Sequence, residues 1–259
     1  MKIIAHFNTF FQLLCYNIFG GEIMIELVNI SYEIDNKKIL DNINIKFDSN
    51  FTVITGPNGS GKSTLAKIIM GIVKPTSGKI LYNGEDITNW SIDKRAKEGI
   101  SFSFQQPVKF KGLTVHDLIN LSSGEEMSVH DACEVLSQVG LCAKEYINRE
   151  IDNSLSGGEI KRIEIATVSV RNSNVTIFDE PEAGIDLWSF KSLINIFKKL
   201  REKNNGKTII ISHQERIINI ADKLVLLEGG KVKEIDSDNY ISGIAPNAVC
   251  CKVGGESNE

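Results

Sequence analysis

The sequence predicts an α/β fold organised around a phosphate-binding loop, with an antiparallel β subdomain and an inserted helical subdomain. Three observations carry that prediction. Gly56-Pro57-Asn58-Gly59-Ser60-Gly61-Lys62-Ser63-Thr64 links the apolar, β-branched run Phe51–Thr55 to the helix-forming run Leu65–Met70. Val175–Asp179 reads as a second buried strand and ends in two adjacent carboxylates, Asp179 and Glu180. Between them, residues 108–155 lose their strand-like runs and read as helices.

The bulk properties suit such a fold. At 259 residues the chain makes one large domain or two small ones and can bury a sizeable core. A net charge of −4 supplies no field for holding nucleic acid or an anionic membrane surface. The five cysteines (Cys15, Cys133, Cys142, Cys250, Cys251) show no C-x-x-C spacing, which points to free thiols in a reducing, cytoplasmic setting. No segment makes a clean apolar span, so the chain is expected to have no transmembrane segment of its own. Residues 1–23 are apolar but broken by His6, Asn8, Gln12 and Asn17. They read as a leader outside the fold, with translation expected to start at Met24, because Gly20–Met24 back-translates easily to a purine-rich ribosome-binding sequence ahead of a start codon.

From Met24 the order is a strand to Ile30, a turn at Asp35-Asn36-Lys37, and a strand from Ile39 to Phe47. In the latter Ile43, Ile45 and Phe47 alternate with Asn42, Asn44 and Lys46, the pattern of a half-buried antiparallel strand; Leu40 and Asp41 fall out of phase, so its regular part is expected from Asn42. Tyr32, placed between these strands, is an aromatic able to stack on an adenine ring. The glycine loop follows. Its glycines let backbone N–H groups turn inward around a polyanion, and the next helix adds its positive N-terminus. Lys62 offers a point charge for the β- and γ-phosphates and Ser63 a hydroxyl for Mg²⁺. A turn at Lys74–Gly78, the strand Lys79–Tyr82 and the turn Asn83-Gly84 come next. Ser91 caps a helix that Gly99 stops, and the strand Ile100–Phe104 leads into Gln105-Gln106-Pro107.

In the helical region Thr114–Leu121 and Ser128–Gly140 are the helices, the second opened by Ser128 and Asp131. Val129, Ala132, Cys133, Leu136 and Val139 are expected to be its core face. Leu155-Ser156-Gly157-Gly158-Glu159 opens a helix to about Val170 and repeats the anion-site physics of the first loop. Asp179 can hold Mg²⁺ through water, and Glu180 can polarise an attacking water. Pro181–Asp186 is a loop, Leu187–Lys203 an amphipathic helix, and Lys207–Ile211 a buried strand. His213 follows it, the only one of four histidines at a sheet edge, and reads as a γ-phosphate sensor. Leu224–Glu228 and Lys231–Ile235 form a closing hairpin, and a polar tail begins near Ser237.

In this order the pieces resemble the ATP-binding-cassette (ABC) ATPases, a family of P-loop NTPases. Gly56–Thr64 matches Walker A, Gln105 the Q-loop, Leu155–Glu159 the LSGGE signature and Val175–Asp179 Walker B. Glu180 matches the catalytic glutamate, Ala183–Asp186 the D-loop, His213 the H-loop and Tyr32 the A-loop aromatic. The resemblance spans Met24 to about Ile235, so an ABC-type nucleotide-binding domain is expected over 24–236. It would hold a helical signature subdomain at about 108–170 and be followed by a tail at 237–259. It implies ATP and Mg²⁺ as ligands, with Ser63, Gln105 and Asp179 around the metal and Glu180, His213 and Gln105 in catalysis. It also implies an ATP-dependent head-to-tail homodimer, in which Ser156, Gly157, Gly158 and Glu159 of one subunit close on ATP held by the other. Three details resemble the SufC branch, the ATPases of iron–sulfur cluster assembly. These are Arg95 with Gly99-Ile100 ahead of Phe104-Gln105-x-Pro107; Lys161-Arg162-x-Glu164-Ile165 after the signature; and His213-x-x-Arg216-Ile217. That branch implies a SufB/SufD-type scaffold as partner. Pro181-Glu182-Ala183, where that branch often has Thr-Asp-Ser, looks more like a transporter, for which the partner is a membrane permease.

Overall fold

The computed structural model describes residues 23–106, 108–202, 206–235 and 240. Residues 1–22 of the expected leader, nearly all of the expected tail, and Cys15, Cys250 and Cys251 lie outside the described residues; Ile23, which the sequence put in the leader, packs against the core.

Strands β1 (Ile25–Ile34), β2 (Lys37–Phe47), β3 (Phe51–Thr55), β4 (Ser77–Tyr82) and β5 (Glu85–Asp86) make up most of the first third. β2, β1, β4 and β5 form an antiparallel sheet in that order. Ile43, Ile45 and Phe47 are buried and Asn44 and Lys46 exposed, as the alternation predicts. The phase break at Leu40 and Asp41 is real, but it does not delay the strand. β2 already pairs from Lys37, and Asn42 absorbs the irregularity at φ 52° beside register shifts around Ile30 and Tyr32. Tyr32 therefore lies within β1, not in a connection.

The larger sheet has the order β12-β11-β3-β10-β9-β6, with β6 Ile100–Ser103, β9 Val175–Asp179, β10 Lys207–Ile211, β11 Lys223–Glu228 and β12 Lys231–Ile235. All its pairings are parallel except the closing β11–β12 hairpin. Strands β3, β9 and β10 are buried at every residue, which is why they read as continuous apolar runs. Helix α1 (Lys62–Met70) packs Leu65, Ala66, Ile68 and Ile69 between the two sheets. Register pairs Ile54 with Ile211 and Ile211 with Asp179, so the strand ends before Gly56, Glu180 and Ser212 share one edge.

The remaining helices are α2 (Ile92–Lys97), α3 (Val115–Ser123), α4 (Val129–Gln138), α5 (Ala143–Tyr146), α6 (Gly157–Val170), α7 (Leu187–Glu202) and α8 (Glu215–Ile218). Ser91, Thr114 and Ser128 cap α2, α3 and α4 through their hydroxyls. Two expectations for the helical region need correction. It is not strand-free: β7 (Phe110–Thr114) pairs with β8 (Glu150–Ile151) across its neck. So short a ribbon has no periodicity of its own and exists only because its halves meet in space. Val129 is not core but 58% exposed, because the first residue of α4 projects before the helix reaches its packing surface. A second core unites this region with the sheet through Phe51, Phe178 and Phe197, whose ring centroids lie 6.1 and 5.2 Å apart in successive contacts.

Candidate functional site

Gly56 leaves β3 at φ 139°, and a Cβ there would stand 2.1 Å from the Leu227 carbonyl oxygen, so only glycine fits this close pass under β11. The loop ends at Gly61, the left-handed N-cap of α1 (φ 101°), pressed against Ile39 and Leu40. No side chain caps α1 and no acid stands in its first turn. Its N-terminal N–H groups thus remain available to an anion. Ser60 Oγ is buried with no partner among the described residues, again inside the loop.

Lys62 is 5% exposed, and its Nζ donates to the carbonyls of Gly56 (2.7 Å) and Pro57 (2.9 Å). Burial holds its ammonium below the usual lysine range, while Glu180 and Asp179 pull it the other way. Ser63 Oγ donates to Asp179 Oδ1 at 2.9 Å. Asp179 is buried, and desolvation raises its carboxyl above the ordinary range. Gln105 Nε2 donates to Glu180 Oε2 at 2.6 Å. Glu180 itself adopts φ 47°, with its N–H given to the Ile211 carbonyl at 3.0 Å. His213, just past β10, stays below the normal histidine range through desolvation first and the Lys62 charge second.

Lys62, Ser63, Gln105 and Glu180 face one cleft of about 580 Å³, lined also by Tyr32, Gly59, Gly61 and Thr64 among others; Asp179 and His213 are not among its lining residues. The volume is that of an ordinary small-molecule site. Asn58 also lines it; Pro57 is exposed on the rim of the loop. Ile34, Ile39, Lys67 and Val73 line it too, and sequence reasoning missed them. The one available signal was Ile34, an apolar residue beside a turn that proves 49% exposed. The donors suit a triphosphate, and the oxygens of Ser63, Gln105 and Asp179 are the hard ligands Mg²⁺ takes. Asp179, a buried carboxylate raised by desolvation with Ser63 as its bonded partner, gains from a cation there.

The signature turn is elsewhere: Ser156, Gly157, Gly158, Glu159 and Asp186 are not among the residues lining this cleft. Ser156 and Glu159 form a reciprocal capping box on α6, with Ser156 N–H to Glu159 Oε2 at 2.6 Å and Glu159 N–H to Ser156 Oγ at 3.3 Å. Unlike α1, this helix start is already capped, and by a carboxylate. It differs from the bare anion site that the Ser-Gly-Gly turn suggests. Tyr146 donates to Glu159 at 2.5 Å, the first cause of that carboxyl's lowered pKa. A Cβ on Gly158 would stand 2.8 Å from the Gly184 carbonyl oxygen, so the signature turn and the D-loop touch. Arg162 ties them further, reaching Gly158 O at 3.3 Å and Ser189 Oγ at 3.1 Å, while Ser189 Oγ donates to Asp186 at 2.7 Å.

The comparisons agree with this geometry. The family described as "ABC transporter" matches residues 40–183. An uncharacterised ABC transporter ATP-binding protein of Methanocaldococcus jannaschii is 37% identical over 206 residues, 76% of this chain and 82% of that protein. A spermidine/putrescine import ATP-binding protein of Mesoplasma florum is 30% identical over 239 residues, 91% of this chain and 67% of its own length. Among solved structures, an ATP-binding cassette dimer in a post-hydrolysis state bound to ADP and phosphate superposes with a TM-score of 0.72 at 26% identity. That match covers 82% of this chain and 98% of the cassette. The chain belongs to the ABC transporter family, as an ATP-hydrolysing cassette domain that binds ATP with Mg²⁺.

Proposed function

We propose that the chain is the ATP-hydrolysing subunit of a membrane transporter. The observation that carries this reading is its likeness, over 91% of its length, to a protein named for spermidine/putrescine import. A sulfate/thiosulfate import ATP-binding protein of Synechocystis, 30% identical over 219 residues, supports it. No described helix is long and apolar enough to cross a membrane, so in this reading a separate permease supplies the spans. Phe104, Phe110 and Leu121 expose 38%, 39% and 67% of their surface in the Q-loop and helical region, apolar side chains that a docking partner could cover.

In this reading Gly56 to Thr64 and Lys62 hold the triphosphate, and Tyr32 stacks on the base. Ser63, Gln105 and Asp179 hold Mg²⁺, which when bound neutralises phosphate charge. Glu180 takes the proton of the attacking water, and His213, kept neutral, hydrogen-bonds the γ-phosphate. Lys62 first leaves the two carbonyls that occupy it, and Glu180 leaves Gln105. Ser156 and Gly158 of a second copy complete the site, giving two equivalent sites about a two-fold axis. Residues 24–236 form the cassette and about 108–170 the part that carries the signature.

A second reading, a SufC-like ATPase driving a soluble SufB/SufD-type scaffold, is supported by Arg95, Lys161 and Glu164. All three are bonded to backbone inside the fold, not exposed. Affinity capture of the tagged full chain from a detergent extract tests both. An integral membrane protein held by the chain is expected. A soluble scaffold instead would replace the first reading with the second.

A further inference from the structure

Lys161 is 1% exposed, on a helix whose neighbouring buried positions are Ile160 and Ile163. A buried charge is costly unless its partners are well placed, and an apolar side chain would pack here as well. Its Nζ donates to the carbonyl of Phe104 and lies 3.3 Å from Glu164 Oε2. The other carboxylate oxygen of Glu164, Oε1, accepts the N–H of Phe104 at 2.8 Å. One ion pair thus grips both polar backbone groups of a single residue. That residue lies just past the end of β6 at Ser103, where the sheet no longer holds the chain, and it immediately precedes Gln105.

We infer that Lys161 and Glu164 are positioning residues for Gln105: they fix the backbone from which its side chain reaches Glu180 and bind it to the helix that opens at Ser156. The inference rests on the placement of Gln105 at the metal and the attacking water.

Mg²⁺-dependent ATP turnover of the full chain tests this with Glu164→Ala, Gln105→Ala and the double variant. Glu164→Ala is expected to lower kcat about tenfold and to raise the Mg²⁺ concentration for half-maximal rate, as loss of positioning does. ATP affinity measured in EDTA should stay within about twofold. Adding Glu164→Ala to Gln105→Ala should change nothing more, because both act through one side chain. Glu164→Gln, which keeps the acceptor for Phe104 N–H, should recover most of the rate. Lys161→Met, if it folds, should behave as Glu164→Ala. Wild-type kinetics in Glu164→Ala beside an impaired Gln105→Ala, or additive losses in the double variant, would overturn the inference alone. Wild-type kinetics in Gln105→Ala would overturn the site assignment beneath it.

Discussion

Glu180 sits in left-handed backbone, which costs a non-glycine residue about 1–3 kcal/mol and persists only where the surroundings impose it. Here its N–H is held by Ile211 and its carboxylate by Gln105. Glu180→Gln is expected to lower kcat by about 10²–10⁴-fold, the usual worth of a general base, while ATP binding measured by equilibrium dialysis survives. Glu182 is a different carboxyl. Its Oε1 accepts the Ser212 hydroxyl at 2.6 Å, its Oε2 is buried without a partner among the described residues, and desolvation raises its pKa. Because the folded state holds this proton more tightly than the unfolded one, its contribution is whole below the ordinary glutamate range. It is lost as pH rises through the raised value. Glu182→Gln cannot titrate, so its Tm should exceed wild type by a margin that widens as the pH rises above the ordinary glutamate range and closes below it. The sequence displayed Glu180 as a strand-end acid, but nothing in it marked Glu182 as a half-buried residue with one carboxylate oxygen shut away from water. Its partner there is Ser212, thirty positions away and brought close by β10.

At the level of elements, helix ends decide much of the geometry. Helix α1 is left bare at its N-terminus, while its C-terminus is gripped by Arg95. That guanidinium is 1% exposed, and burial pulls its pKa down to about 10. Its two terminal nitrogens donate to the carbonyls of Ile68, Ile69, Ile87 and Thr88 at 2.5–3.1 Å. Arg95→Met should cost about 3 kcal/mol in urea unfolding, since buried carbonyls lose charged donors. Arg95→Lys should recover little, because a single ammonium cannot span four acceptors with a planar fork. The caps at Ser91 and Ser128 were legible because capping is local chemistry. The β7–β8 ribbon was not, because Phe110 and Ile151 pair only after the helices between them have folded back.

For the molecule as a whole, none of Ser156 to Glu159 lines the cleft beside the phosphate loop, and in the proposed reading a second copy supplies them. Lys62→Ala and Ser156→Arg should each abolish turnover alone. Mixed together they should recover part of it, because a heterodimer retains one site with both an intact lysine and an intact serine. No recovery in the mixture, measured by phosphate release, would mean that each chain works by itself. Glu180→Gln with ATP should likewise elute at twice the monomer mass, and without ATP at the monomer mass.

Sequence alone determined the chemistry that short-range pattern can encode. The strand–glycine-loop–helix context marked Lys62 as a candidate for phosphate and Ser63 for Mg²⁺, and the acid pair at the end of β9 put Asp179 and Glu180 at a sheet edge. The Ser156–Glu159 spacing opened a helix. Each of these depends on residues within a few positions of one another, where backbone preference and hydrogen-bond reach act directly. Tertiary structure decided which of these groups meet: Ser63 with Asp179, Gln105 with Glu180, Lys161 and Glu164 with Phe104. Those contacts join positions 57 to 116 residues apart. Parallel-sheet order and burial select such partners, and no window of sequence holds both ends.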